Sequence, residues 1–239
     1  SKNVTCLKNR QRIVDCPRDG KRLPAGTMSQ DQTISQTRSE DGQKVAAIVV
    51  AAGQGLRAGQ PLPKQFALWR GKPVLRHSVE ALASAGIAPI IVAIPEGADA
   101  LVREILSGIK DIQLTTGGAT RQESVRLGLE VLAGIAPDLV LIHDAARPIL
   151  PSAVIDRLTA ALERCPGAIP VLPVVDSLAH AEAGELGETM GAPARREALR
   201  RVQTPQAFRF ADILAAHRNW DGPAIAGDDA QVAQANGLE

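Results

Sequence analysis

The chain has 239 residues, and its 27 basic and 26 acidic side chains leave a formal net charge of +1. That balance excludes a surface built for wholesale binding of nucleic acid or membrane, so any phosphate contact must come from a local cluster of basic residues. No apolar stretch approaches a membrane span, no signal-peptide pattern opens the chain, and the length suits one substantial α/β domain.

Residues 1–44 are basic at first (Lys2, Lys8, Arg10, Arg12, Arg18, Lys21, Arg22) and then rich in Ser, Gln, Thr and Asp. They carry no sustained period of two or of 3.6 and read as a disordered extension. Met28 is a candidate start. Cys6, Cys16 and Cys165 are too few and too scattered for a disulfide framework. Cys6 and Cys16 also lack a CxxC or histidine partner at metal spacing, and the cytoplasm is the default compartment.

From Val45 strands alternate with helices. Val45–Ala51 is a continuous apolar run, as in a strand covered on both faces. A helix follows over Pro73–Ala85, stopped by Gly86, then a strand over Ile90–Ile94 and a helix over Ala98–Ser107. Ile112–Thr115 is a short strand leading into Gly117-Gly118, Arg121–Leu132 a helix, and Leu139–Ile142 a buried strand. Ser152–Glu163 is helical and Ala168–Leu172 returns to strand. This alternation predicts an α/β fold with a mostly parallel sheet covered by helices. Pro173 to Arg200 breaks the rhythm, being acidic and glycine-punctuated. It reads either as a projecting hairpin or arm, at about 173–200, or as an ordinary surface loop.

Three constellations carry chemistry. Val50 to Gln65 joins a strand to a glycine turn (Gly53, Gly55), with Arg57 and Lys64 seven residues apart. Glycines admit backbone amides close to a phosphate chain, and the two cations supply mobile positive charge. The same turn satisfies G-x-G-x-x-A, but Pro61 and Pro63 would break the helix that a dinucleotide site requires, and no G-K-[ST] ending makes it a P-loop. Arg57 and Lys64 favour phosphate binding over mere chain reversal. Second, Gly117-Gly118-Ala119-Thr120-Arg121-Gln122-Glu123-Ser124 offers amides, a hydroxyl and a cation near the sheet edge, or else simple helix capping by Thr120. Third, His143-Asp144-Ala145-Ala146-Arg147-Pro148 ends a buried strand. Asp144 suits the orienting of hydroxyls or of a hydrated Mg²⁺, and Arg147 suits a phosphate; a structural Asp–Arg pair is the alternative. His143 reads as a packed histidine rather than a base.

In this order, A-A-G-x-G-x-R, P-K-Q, G-G-x-x-R-x-x-S-V, H-D-A-A-R-P and T-P-Q closely resemble the 2-C-methyl-D-erythritol 4-phosphate cytidylyltransferases of the non-mevalonate isoprenoid pathway. The resemblance runs from about Val45 to the last residue. It implies a Rossmann-like nucleotidyltransferase domain over 45–239, whose arm helps form a homodimer. The implied reaction joins CTP to methylerythritol phosphate and releases pyrophosphate with Mg²⁺, held mainly by the CTP phosphates with Asp144 as a candidate ligand. By the same resemblance Arg57 and Lys64 are transition-state residues and Ala51, Ala52, Gly53 and Gly55 border the nucleotide. Gly118 and Ser124 read cytosine beside Arg121, while Asp144 and Arg147 hold the sugar phosphate. Arg196, eight residues before Thr204, matches a substrate-positioning arginine, with Arg195 its competitor if the alignment slips by one. Thr204 matches the threonine of T-P-Q, and Ser177 stands where relatives commonly carry Thr and reaches across the dimer.

The family's later N-[IV]-K-[VL]-T run, with a further lysine, has no counterpart before Glu239, so the domain reads as C-terminally truncated. The chain also fits the front part of a fusion with the downstream cyclodiphosphate synthase. Two rivals remain. One is a cytidylyltransferase for another polyol phosphate, such as ribitol 5-phosphate; the other is a fragment that binds CTP without turnover.

Overall fold

The computed structural model describes residues 3–6, 42–53, 63–184, 187–221 and 227–238. In chain order the first half carries β1 (Asn3–Cys6), β2 (Val45–Val50), β3 (Leu68–Trp69), β4 (Lys72–Pro73), α1 (Val74–Ser84), β5 (Ile90–Ile94), α2 (Asp99–Ile105), β6 (Ile112–Thr116) and α3 (Arg121–Ala133). Then follow β7 (Leu139–Asp144), α4 (Ser152–Ala161), β8 (Gly167–Pro173), β9 (Ala179–Gly184), β10 (Gly187–Pro193), β11 (Arg200–Val202), β12 (Gln206–Arg209), α5 (Phe210–Arg218) and α6 (Asp229–Ala235).

An eight-stranded sheet in the order β1-β8-β12-β7-β2-β5-β6, with β11 also on β8, forms the centre. β2 runs parallel to β7 and β5, and β5 parallel to β6; β12 is antiparallel to both β7 and β8. The apolar run of β2 serves two cores at once, because successive side chains point to opposite faces. Ala47 and Val49 pack with Leu75, Val79 and Leu158 from α1 and α4. Ala46 and Ile48 pack with Val125, Leu129 and Ile213 from α3 and α5. Gly128 lets α3 lie directly on β2, since a methyl there would stand 2.9 Å from Ile48 Cγ2. That contact fixes where the start of α3 sits on the sheet's carboxyl edge.

Every element predicted between Val45 and Leu172 is present, its ends within two residues of the prediction. Pro73 caps α1 rather than joining it, its ψ of 140° being extended rather than helical. Between Pro173 and Arg200, β9 and β10 pair only with each other, and all their described residues but Gly191 are exposed, so this segment is a hairpin standing off the sheet.

Two features depart from the sequence reading. Asn3–Cys6 pairs antiparallel with β8, Asn3 opposite Val171 and Cys6 opposite Ala168. Cys6 and Cys165 are joined as a disulfide with Cα atoms 6.0 Å apart, a single pair where the scattered cysteines gave no framework. A four-residue strand is too short for a period to register, and the disulfide partner of Cys6 lies 159 residues away in sequence. The remainder of the predicted disordered extension, up to residue 41, lies outside the described residues. The second departure is the region after Arg200, for which no element is predicted and in which β11, β12, α5 and α6 form.

Candidate nucleotide and substrate site

The carboxyl ends of β2, β6 and β7 open on one edge of the sheet, where open α/β sheets gather ligands. Ala51 N–H donates to Ala93 O at 2.8 Å and Gly117 N–H to Ile94 O at 2.8 Å, so both strands stay ordered one residue past their ends. A methyl on Gly117 would collide with the Ala52 methyl and stand 2.8 Å from Ser124 Oγ. The two glycine-bearing turns therefore touch, and only glycine permits the contact.

At the start of α3, Gly118 N–H donates to Ser124 Oγ (3.1 Å), whose hydroxyl donates to Thr120 O (2.9 Å). Thr120 caps the helix by accepting from Glu123 N–H (3.1 Å), and Glu123 in turn accepts from Ala119 N–H (2.8 Å). The capping alternative for Thr120 is thus realised, and it faces Arg121 toward β7.

Gln65 anchors the other turn. Its buried amide donates to Ala51 O at 2.7 Å and Gly53 O at 2.6 Å, gripping the end of β2 where the glycine loop departs. Lys64, immediately before it, is exposed and makes no ion pair among the described residues. Gly55 and Arg57 lie outside the described residues. Truncating Gln65 to alanine takes this donor from the buried Ala51 carbonyl and from that of the exposed Gly53, and should lower stability by about 1–3 kcal/mol, read as a reduced urea midpoint.

Asp144 ends β7 and ties the constellations together. Its Oδ1 accepts from Arg121 Nε at 3.2 Å and its Oδ2 from Arg147 Nε at 3.1 Å, while its backbone N–H donates to Thr204 Oγ1 at 3.2 Å. Arg147 also reaches Gln203 Oε1 at 2.8 Å. His143 is buried, with Nε2 3.1 Å from Arg147 O and Nδ1 3.1 Å from Thr204 Oγ1. A carbonyl only accepts, so Nε2 carries the proton and Nδ1 accepts from the Thr204 hydroxyl. His143 is therefore a clamp that sets the Arg147 backbone and the Thr204 rotamer.

Arg121 has a second partner that sequence reasoning missed. Its Nη2 lies 2.8 Å from Oδ2 of Asp229, which is fully buried at the start of α6. His217 Nε2 approaches the other oxygen at 3.3 Å, short of hydrogen-bond geometry. Burial alone would raise the Asp229 carboxyl, but the Arg121 charge and the neighbouring donors outweigh it and hold it below the usual carboxylate range. Burial would likewise lower Arg121, yet the Asp229 and Asp144 carboxylates hold it above its ordinary value. Gln206 pins the same helix by accepting from Ala230 N–H at 2.9 Å.

Ala51, Ala52, Gly53, Gly118, Arg121, Ser124, Asp144, Arg147 and Thr204 thus form one connected edge. Ser177 and Arg196 stand apart, on the segments flanking the hairpin. Arg196 donates to Val175 O at 2.8 Å, pairs with Glu197 at 3.5 Å, and lines with Val171, Pro173, Val174 and Arg200 an open concavity of about 310 Å³. Arg195 directly precedes the short turn Arg196–Ala198 and is exposed. No described contact joins either arginine to Asp144. For a divalent cation, the described residues offer no group of three or more His, Cys, Asp or Glu side chains. Each Asp144 oxygen already faces a guanidinium, so the described side chains at this edge do not form a metal cage.

The motifs that meet at this edge are those of one family. A family model described as 2-C-methyl-D-erythritol 4-phosphate cytidylyltransferase matches residues 45–239. The chain belongs to this cytidylyltransferase family. It is 63% identical over 200 residues to the bifunctional enzyme IspD/IspF of Novosphingobium aromaticivorans, covering 84% of this chain and 51% of that protein. It is 47% identical over 197 residues to the 2-C-methyl-D-erythritol 4-phosphate cytidylyltransferase of Cereibacter sphaeroides, covering 81% of this chain and 84% of that one. Among solved structures, the cytidylyltransferase of Thermus thermophilus superimposes with a TM-score of 0.66 at 36% identity, over 82% of this chain and 86% of that chain. The chain spans about half the length of the bifunctional relatives it matches. The fold is therefore the nucleotidyltransferase fold of the cytidylyltransferase family, and no helix among the described residues is long and apolar enough to cross a membrane.

Proposed function

We propose that the chain transfers CMP from CTP to 2-C-methyl-D-erythritol 4-phosphate, forming the cytidyl diphosphate product and pyrophosphate. What carries this reading is the meeting of the family's separated motifs at one sheet edge, where Asp144 is held between Arg121 and Arg147. A phosphate oxygen of the polyol phosphate attacks the α-phosphorus of CTP, and the bond from that phosphorus to the bridging oxygen breaks as pyrophosphate leaves. The nucleophile is already anionic and needs no strong base, so positioning and charge neutralisation make up the catalysis. The tautomer assigned to His143, engaged at both nitrogens, agrees with a reaction that asks for no histidine base.

Ala51, Ala52, Gly53, Gly55, Gly118, Arg121 and Ser124 border the nucleotide in this reading. Arg57 and Lys64 neutralise the α-phosphate and the leaving group. Asp144, Arg147 and Thr204 hold the polyol phosphate. When bound, Mg²⁺ would act as the counter-ion of the triphosphate, while each Asp144 oxygen faces a guanidinium. The exposed hairpin supports a homodimer in which Ser177 and Arg196 of one protomer serve its partner's site. A cytoplasmic location, where CTP is made, is part of the same reading.

The test is pyrophosphate release from CTP and Mg²⁺, measured with methylerythritol phosphate, with ribitol 5-phosphate and with neither. Release only with methylerythritol phosphate is the expected result. Release only with ribitol 5-phosphate would replace the acceptor, and CTP binding without release would reduce the chain to a nucleotide-binding unit.

A further inference from the structure

Nε and Nη2 of an arginine lie on the same side of the guanidinium and together form a fork that fits one carboxylate with two parallel bonds. In Arg121 that fork is split. Nε goes to Asp144 at 3.2 Å and Nη2 to Asp229 at 2.8 Å, while Nη1 is buried without a partner. Asp229 is fully buried, whereas the Asp144 side chain is 28% exposed at the sheet edge. A carboxylate offers about four acceptor positions, and the two arginines use two of those on Asp144.

We infer that Asp229 is a positioning residue for the transfer site: by holding one tine of the Arg121 fork, it keeps that fork from closing on Asp144 and leaves acceptor positions free for a substrate hydroxyl. This rests on the proposed function. The seating of α6 is thereby coupled to Asp144, 85 residues earlier in sequence, without touching the substrate. The helix itself is held by a separate contact, Gln206 to the Ala230 N–H, so its position does not depend on the carboxylate alone. Asparagine at 229 keeps the shape and removes the charge. The fork then turns to the stronger acceptor, and Asp144 becomes doubly bonded to Arg121.

The experiment is a cycle of Asp229→Asn, Arg121→Gln and the pair, with kcat and KM for the polyol phosphate measured for each. Asp229→Asn should raise that KM at least about tenfold in the parent protein, and change it by no more than about twofold in the Arg121→Gln background. Equal costs in both backgrounds would overturn the inference, because a merely structural carboxylate acts whether or not Arg121 is present. If Asp229→Asn alone does not fold, Arg121→Gln is compared with the pair, in which no buried charge is left uncompensated. A crystal structure of the Asp229→Asn protein, with the parent beside it, supplies a readout independent of turnover. Arg121 Nη2 within hydrogen-bond reach of Asp144 is expected, and an unmoved fork refutes the idea. Absence of turnover in the parent protein counts against the proposed function, and the fork geometry then still decides this one.

Discussion

Replacing Lys64 with methionine should lower turnover of CTP by about two to three orders of magnitude, the usual cost of removing one key charge-stabilising donor from a reacting centre. Lys64 is exposed and forms no ion pair among the described residues. Its backbone is nevertheless anchored, because the next residue, Gln65, is buried and bonded to Ala51 O and Gly53 O at the root of the glycine loop. A mobile cation on a fixed base can follow charge from the α-phosphate to departing pyrophosphate. If it acts chiefly there, kcat and kcat/KM fall together, while calorimetric affinity for CTP changes by less than about tenfold. Weaker CTP binding with kcat unchanged would make Lys64 a ground-state ligand instead. Urea unfolding of the same variant should be unchanged within about 0.5 kcal/mol, as for other exposed positions.

Phe208→Ala should destabilise the protein by about 3–5 kcal/mol, as for large buried aromatics. Phe208 sits mid-way along β12, opposite Val140 of β7 and Gly167 of β8, and is fully buried with Val125, Leu129 and Ile213. Gly167 has no side chain with which to fill the space left. The β-sheet around it is fixed by strands on both sides, so collapse into the cavity is restricted and the upper part of the range is expected. The measurement is a fall in the urea midpoint with the slope m unchanged. Met190, 87% exposed on the hairpin, provides the contrast: its truncation should cost under about 0.5 kcal/mol in the isolated chain. A small effect at Phe208 would mean that β12 does not occupy the centre of the sheet.

The parallel half of the fold is legible in the sequence because its signals are local. Val45–Val50, Ile90–Ile94 and Leu139–Ile142 are apolar without alternation, as strands covered on both faces must be, and glycines or prolines mark their ends. β12 is not legible. Gln206–Arg209 is four residues long, carries polar groups at both ends, and becomes a central strand only because β7 and β8 flank it. The Arg121 and Asp144 constellations are visible as candidates, but their joining is not. Nothing local to Asp228-Asp229 announces a partner 108 residues earlier, and the amide of Gln65 reads only as part of a motif. His143 illustrates the opposite case: its place at the end of an apolar run already suggests a packed ring, and its two hydrogen bonds supply the reason.

The reversed direction of β12 has a consequence for synthesis of the protein. Because β12 is antiparallel to β7, its beginning, with Thr204 just before it, arrives at the same edge as the end of β7. The Asp144–Thr204 contact spans 60 residues of chain and the Arg121–Asp229 contact spans 108. A nascent chain that has emerged as far as residue 150 holds the strands β2, β5, β6 and β7 but lacks Thr204, Asp229 and the strand that parts β7 from β8. Contacts of such separation form late, after the local elements have collapsed. During translation the ribosome therefore exposes a sheet well before the Asp144–Thr204 and Arg121–Asp229 contacts can close, and the candidate site is incomplete until α6 has been delivered.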